Sequence, residues 1–490
     1  MNIVRTTIFI VLLFSSWMMP AQSGIEWSPP VNVSTTDGDK SPVIAAFDDG
    51  EVATVWGKGA AIYFSRTVDG TFLDPVVIPT PGITESIYAF GGLDMVIHDN
   101  SIFISFESFA DGLFQIRSID GGLNFEVAQN IFDPPTGKWA TLSALAISEN
   151  GNPMVSAILE NTDETDARIV LIRSLDGGDT YEAEVIASEP ARGDFVCECC
   201  TPDLITKGDD IWIVFRNNSN NLRDMWVSKS SDGGATFTEA IDVDETNWVI
   251  NACPISGPKI AAMAGDSLIS VWSSGADGSN KIYYSTLDGV HMEKGSEVNI
   301  PRLNANSFQS YPTVAGANDT VGMVWEESGF GANAGELIFA LSKNGTTDLI
   351  LNAANITQAP GSQRYPSLVF LNGVFHLFNT NGNGGLEYRR GRVSDVSAVE
   401  NQSVRSMCFN LMEQPVEGGI IKLSTVCENR SEIIKAKLYD VLGNKIKEWH
   451  LNPSNNNHRL PVGSISTGMY ILVLDINRES NVLNVIIQNN

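Results

Sequence analysis

Ser118-Ile-Asp-Gly-Gly-Leu-Asn-Phe125 is one copy of a phrase that returns as Ser174-Leu-Asp-Gly-Gly-Asp-Thr-Tyr181 and Ser230-Ser-Asp-Gly-Gly-Ala-Thr-Phe237. Shorter copies read Thr67-Val-Asp-Gly-Thr-Phe72, Thr286-Leu-Asp-Gly289 and Ser342-Lys-Asn-Gly345. Their key positions are 69, 120, 176, 232, 288 and 344, so the intervals are 51, 56, 56, 56 and 56. A period near this length marks a repeat architecture. The local chemistry is that of a hairpin. Asp-Gly supplies the positive φ angles of a tight turn, and the carboxylate accepts backbone N–H groups inside it. Alternating apolar residues precede each copy, as in Ile62-Tyr-Phe64 and Met225-Trp-Val227. A second hairpin signal lies upstream, for example across Pro42 to Trp56. Each unit therefore reads as four short antiparallel strands, which is a propeller blade.

The phrase resembles the Asp box of sialidase-like BNR-repeat propellers, over residues 25–395. The resemblance implies that Asp69, Asp120, Asp176, Asp232 and Asp288 are structural and lie away from the ligand face. Opening strands are predicted near Pro42, Gly91, Leu142, Pro202, Gly257, Pro312 and Pro366. That sets the expectation at seven blades, with six as the alternative, because only six units carry a box. Trp27 to Val33 resembles a last blade strand and would close the ring.

Composition bounds the rest. The chain has 490 residues, 31 Lys+Arg against 58 Asp+Glu, and a net charge of −27. The acidic balance excludes general binding to nucleic acid or anionic lipid. Residues 1–23 read as a secretory signal, with a basic start, an apolar run and Ala21-Gln22-Ser23 as cleavage site. Six cysteines in an exported chain, Cys197, Cys199, Cys200, Cys253, Cys408 and Cys427, read as three disulfides. Cys197 or Cys199 with Cys253 would clamp two blade connections.

Residues 396–408 read as a polar linker, ending the propeller at 24–395. Beyond it, Lys437-Leu-Tyr-Asp-Val-Leu-Gly-Asn444, Ser466-Thr-Gly-Met-Tyr-Ile-Leu472 and Val482 to Ile487 resemble the type IX secretion sorting domain of Bacteroidetes. That resemblance implies a small β-sandwich over 409–490 and passage across the outer membrane. Gln414-Pro415 stands where the family opens with Asn-Pro. The whole chain is thus expected to be all-β.

Blade topology sorts the loops. The boxes lie between third and fourth strands. Loops between second and third strands, and connections between blades, share the opposite face. On that face the sequence gathers Arg192, Asp194, the four propeller cysteines, Arg216, Arg223, Asp224 and Trp248, with Lys40, Glu107, Trp139, Tyr311, Glu326, Arg364 and Tyr365 further round the rim. Arginine's fork suits a carboxylate, and tryptophan suits a sugar face. The plainer readings are an exposed Arg–Asp loop, a core tryptophan and disulfides. A soft-metal thiolate site is the alternative for Cys197, Cys199 and Cys200.

Sialidases grip their substrate with three arginines and use a Tyr–Glu pair with an Asp acid. Here Lys40-Ser-Pro42 stands where the family has an arginine, and Trp56-Gly-Lys58 replaces its Asp-x-Arg phrase. Arg216, Arg302 and Arg364 are candidate arginines, Tyr311 or Tyr365 the candidate nucleophile, and Glu107 or Glu326 its partner. The expectation is a secreted or surface-located propeller that recognises a glycan or another cell-surface ligand. The alternatives are a sialidase-related exo-glycosidase with a rearranged site built from Asp194, Arg216, Arg223 and Asp224, and a cysteine-dependent metal protein. The chain is read as a monomer with no resident cofactor or metal, whose other partner is the outer-membrane secretion machinery.

Overall fold

The computed structural model describes residues 24–109, 111–191, 195–304, 306–330, 334–357 and 360–394, then most strands between 409 and 487. The signal segment, the linker, Arg192, Asp194, Cys408 and Cys427 lie outside the described residues. The chain divides into two compact units between Ser394 and Asp395. No helix occurs among the described residues.

The first unit holds seven antiparallel sheets. Blades I to VII open with Asp39–Ala46, Leu93–His98, Lys138–Ile147, Asp203–Lys207, Lys259–Ala262, Gln309–Ala317 and Arg364–Leu371. Each opening strand touches the opening strand of the next blade, and that of blade VII touches that of blade I. This contact closes a ring around a central channel. The count of seven follows from opening strands, because the box of blade VII is missing while its sheet is present. Its outer edge comes from the other end of the chain. Ile25–Trp27 and Val31–Ser34 both pair antiparallel with Leu386–Val393. Two-residue alternation puts one side of every strand between blades, where apolar layers such as Ile158, Ile169, Leu171, Ile211 and Ile213 pack.

The Ser-x-Asp-Gly-Gly turns hold the sheets in three ways. Ser174 Oγ donates to Asp176 Oδ1 (2.8 Å) and accepts the N–H of Gly178 (2.8 Å). Asp176 accepts the N–H and hydroxyl of Thr180 (2.9 and 2.6 Å), which holds its carboxyl down at about 2. Asp120 and Asp232 make the same pattern with Asn124 and Thr236. The second glycine sits at φ +89° in Gly178, where a Cβ would lie 2.9 Å from Phe103 of the preceding blade. Finally, the residue before the serine reaches forward to the next blade's turn. Arg117 Nη1 donates to Gly177 O at 2.9 Å, and Arg66 and Arg173 do the same to Gly121 and Gly233.

Bonds of a second kind cross the channel wall. Asp94 Oδ2 accepts Leu145 N (2.8 Å), Asp203 Oδ2 accepts Ile260 N (2.9 Å) and Ser367 Oγ accepts Ile44 N (3.1 Å). Each joins one blade to the next.

The second unit contains a three-stranded sheet, Phe409–Leu411, Ile420–Thr425 and Asn457–Pro461. Its four-stranded sheet runs Lys445–Leu451, Ile434–Asp440, Gly468–Ile476 and Glu479–Ile487. Leu423 and Leu460 of the first share one apolar core with Leu438, Leu472 and Val485 of the second, a small sandwich.

Candidate functional site

The opening strands of blades I, III, VI and VII share a defect. Register slips between Lys40 and Val43, Thr141 and Ala144, Ser310 and Thr313, and Arg364 and Ser367. Inside each slip one non-glycine residue has positive φ: Ser41 (46°), Leu142 (52°), Tyr311 (48°) and Tyr365 (52°). Such bulges free a backbone N–H and re-aim a side chain, and strained residues gather at functional sites. The freed N–H of Tyr365 goes to Glu326 Oε1 at 2.8 Å, and that of Tyr311 to Ser256 Oγ at 3.3 Å. The bulges ring the mouth of the channel, on the face opposite the turns.

At this mouth the two tyrosine rings meet edge to face, with centroids 4.9 Å apart. Arg364 lies over Tyr365 at 4.8 Å and its Nε donates to Glu326 Oε2 at 3.3 Å. Burial raises Glu326 to about 7, although Arg364 and the Tyr365 N–H pull the other way. Below the mouth lies a cavity of about 240 Å³, lined in part by Asp94, Asp203, Lys259, Tyr311 and Tyr365. Lys259 Nζ pairs with Asp203 Oδ1 at 3.1 Å.

A second recess adjoins the first and shares Phe90 with it. Its wall is aromatic. Tyr88 stacks on Phe90 (5.5 Å), Phe109 meets Tyr88 edge on (6.2 Å), and Trp139 meets Phe109 (5.6 Å). These come from the I–II connection, the middle loop of blade II and the opening of blade III, which topology puts on one face. Thr141, Leu142, Glu160, Glu164, Glu198, Cys199 and Cys253 complete the lining. Burial raises Glu160 to about 7, and Glu164 and Glu198 add to the shift. Glu107 behind it is raised to about 8, chiefly by burial. The sequence put Glu107 and Trp139 on this rim but passed over Tyr88, Phe90, Phe109 and Glu160. Their shared signal was position, since each falls on the same-face connections or strand ends.

The sector around blade IV differs from expectation. Its second strand runs Asp210–Asn218, so Arg216 is a strand residue and not part of a loop. The side chain is fully buried, donating to Arg223 O (3.0 Å), Ser273 O (2.7 Å) and Ser256 O (3.3 Å), beside the Trp248 ring. Arg223 is also buried, held by Glu198, Ile250 O and Cys197 Sγ. Asp224 and Trp248 are buried with them, and burial lifts Asp224 to about 7. Arg216 and Arg223 thus tie blade IV to its neighbours and present no fork to solvent. Only Arg364 and Tyr365, of the described ligand candidates, reach the mouth.

Cys199 and Cys253 form a disulfide joining the III–IV and IV–V connections. Cys197 and Cys200 are free, buried thiols with sulfurs 2.8 Å apart. Burial opposes ionisation of both; the bond from Cys197 and the two guanidinium groups hold Cys200 below an ordinary thiol. The sulfurs of Cys197, Cys199 and Cys200 lie within 4.8 Å of one another, but the disulfide engages one, leaving two for any soft ion.

Residues 415–488 match the family described as Secretion system C-terminal sorting domain. The chain therefore carries a sorting domain of type IX secretion and is exported to the cell surface or beyond. No curated protein matches the sequence. Among solved structures, the chain is similar to an ulvan lyase of polysaccharide lyase family PL25 bound to -[GlcA(1-4)Rha3S]-. Identity is 12% and TM-score 0.48, over 74% of this chain and 95% of that one. It is also similar to Trypanosoma rangeli sialidase with the inhibitor DANA, at 12% identity and TM-score 0.44, over 92% and 84%. A Penicillium chrysogenum alpha-L-arabinanase bound to arabinobiose follows at 11% and 0.40, over 74% and 98%.

Proposed function

We propose that this exported propeller recognises a glycan at the mouth of its channel, on the face opposite the Ser-x-Asp-Gly-Gly turns. The observation that carries the reading is the group Tyr311, Tyr365, Glu326 and Arg364, set on two left-handed bulges over a cavity. Aromatic rings stack on the apolar faces of sugars, and charged groups that are already fixed hydrogen-bond the hydroxyls at little ordering cost. Among the described residues, Arg364 is the one candidate arginine that reaches the mouth, which favours recognition over the three-arginine grip of a sialidase. The test is a glycan array probed with the mature chain. The expected outcome is binding to a defined set of sugars, weakened about five- to thirtyfold in Tyr365→Ala, the loss of one aromatic contact worth about 1–2 kcal/mol. An array without hits, or hits indifferent to Tyr365→Ala, overturns the site.

One observation favours hydrolysis as the second reading. Glu326, raised to about 7, stands beside two tyrosines and could exchange a proton near neutrality. Turnover of a fluorogenic sialoside or arabinoside, abolished in Glu326→Gln, would establish it.

A further inference from the structure

The aromatic recess beside the mouth has a chemistry of its own. Four rings, Tyr88, Phe90, Phe109 and Trp139, wall a cavity of about 260 Å³. The charged groups facing it are Glu160, Glu164 and Glu198, and no lysine, arginine or histidine is among the described residues that line it. Glu198 is answered from behind by Arg223. Glu160 is not. It is 5% exposed, and its Oε2 is buried without a hydrogen-bond partner. A carboxylate left in this state lacks a counter-charge or donor. Every charged neighbour acting on it is another carboxylate. Carboxylates among aromatic faces form the ordinary receptor for an ammonium group, which gains from both the ring quadrupoles and the charge. The chain's net charge of −27 steers cations toward such a recess. The disulfide Cys199–Cys253 forms part of the wall and holds two connections in place, so the recess is built before any ligand arrives.

We propose that this recess binds the free ammonium of a 2-amino-2-deoxy sugar, with Glu160 as its counter-ion and Trp139 and Phe109 against the sugar ring. The proposal rests on the glycan reading and names the sugar class. A recess of this size seats one sugar ring, and its open side leaves the rest of a chain in solvent.

Calorimetric titration of the mature chain decides it, using a β-1,4-linked glucosamine trisaccharide, its fully N-acetylated counterpart and cadaverine. Acetylation removes the charge and keeps the ring. The expected result is binding of the amino sugar and at least about tenfold weaker binding of the acetylated one. Glu160→Gln, checked for folding by its thermal midpoint, should weaken the amino sugar by a similar factor and leave the acetylated one unchanged. Equal binding of both sugars overturns the ammonium and leaves glycan recognition standing. Binding of cadaverine alone overturns the sugar. Silence toward all three overturns the recess as a site, while the array above still judges the mouth.

Discussion

Ser174 illustrates how much of this architecture rests on single buried atoms. Its hydroxyl is completely buried and accepts the N–H of Gly178 while steering Asp176. Ser174→Ala would leave that N–H without a partner, and an unmet buried donor costs about 1–3 kcal/mol. Urea unfolding should show the loss, with the m-value unchanged. These turns were legible in the sequence because positive φ and an internal acceptor admit few residue types. Arg117 was not read from the sequence, although its place is periodic: Arg66, Arg117 and Arg173 each stand directly before the box Ser or Thr. Arg216 was misplaced for a plain reason: the loop was drawn from polarity, but the strand runs on to Asn218. Arg223 does lie in that loop, and burial against Glu198 and Cys197 turns an apparent clamp into a brace. Blade topology put the mouth tyrosines on the face opposite the turns and the family resemblance offered them as nucleophiles; their bulges leave no mark that sequence periodicity detects.

Among the elements, the III–IV and IV–V connections carry the heaviest constraint. The Cys199–Cys253 bond closes a segment separated by 54 residues. Chain-entropy arguments put such a cross-link at about 2–4 kcal/mol. Cys253→Ser should lower the thermal midpoint accordingly and loosen the recess it lines, so amino-sugar binding, where present, should weaken in the same variant. A midpoint equal to wild type would mean that Arg216 and Arg223 alone hold the two connections. Blade VII is the other element under special constraint, since two short strands from residues 25–34 complete it. The closing strand could be anticipated by its likeness to the last strand of blade I, whereas the exact pairing could not, because strand register is a property of the partner.

At the scale of the whole propeller, buried carboxyls set the response to pH. Burial raises Glu107 to about 8, Glu160, Glu297, Glu326 and Asp224 to about 7, and Asp94 to about 6. Between the unfolded values near 4 and these folded values, the folded state holds protons that the unfolded state has released. Stability therefore falls as pH rises through that window. His376, lowered to about 4 by burial and then Arg390, works in the opposite sense below its unfolded value. The turn aspartates, held near 2, matter only in stronger acid. Scanning calorimetry should show the propeller's midpoint rising from about pH 8 to about pH 5.5, with a shallower slope in Glu160→Gln. A flat profile would mean these groups meet water that relieves their burial.

The seventh sheet has an implication for the order in which the molecule can be finished. Ile25 pairs with Val393, so the earliest described strand waits for almost the last residue of the ring. While the chain emerges, by synthesis or across a membrane, the edge of that strand stays open and six sheets form an incomplete arc. Contacts of such long sequence separation are slow to make, and open strand edges invite pairing with other chains. Ring closure is thus the natural late event of maturation, and a chaperone that shields residues 25–34 would act on the most vulnerable stage.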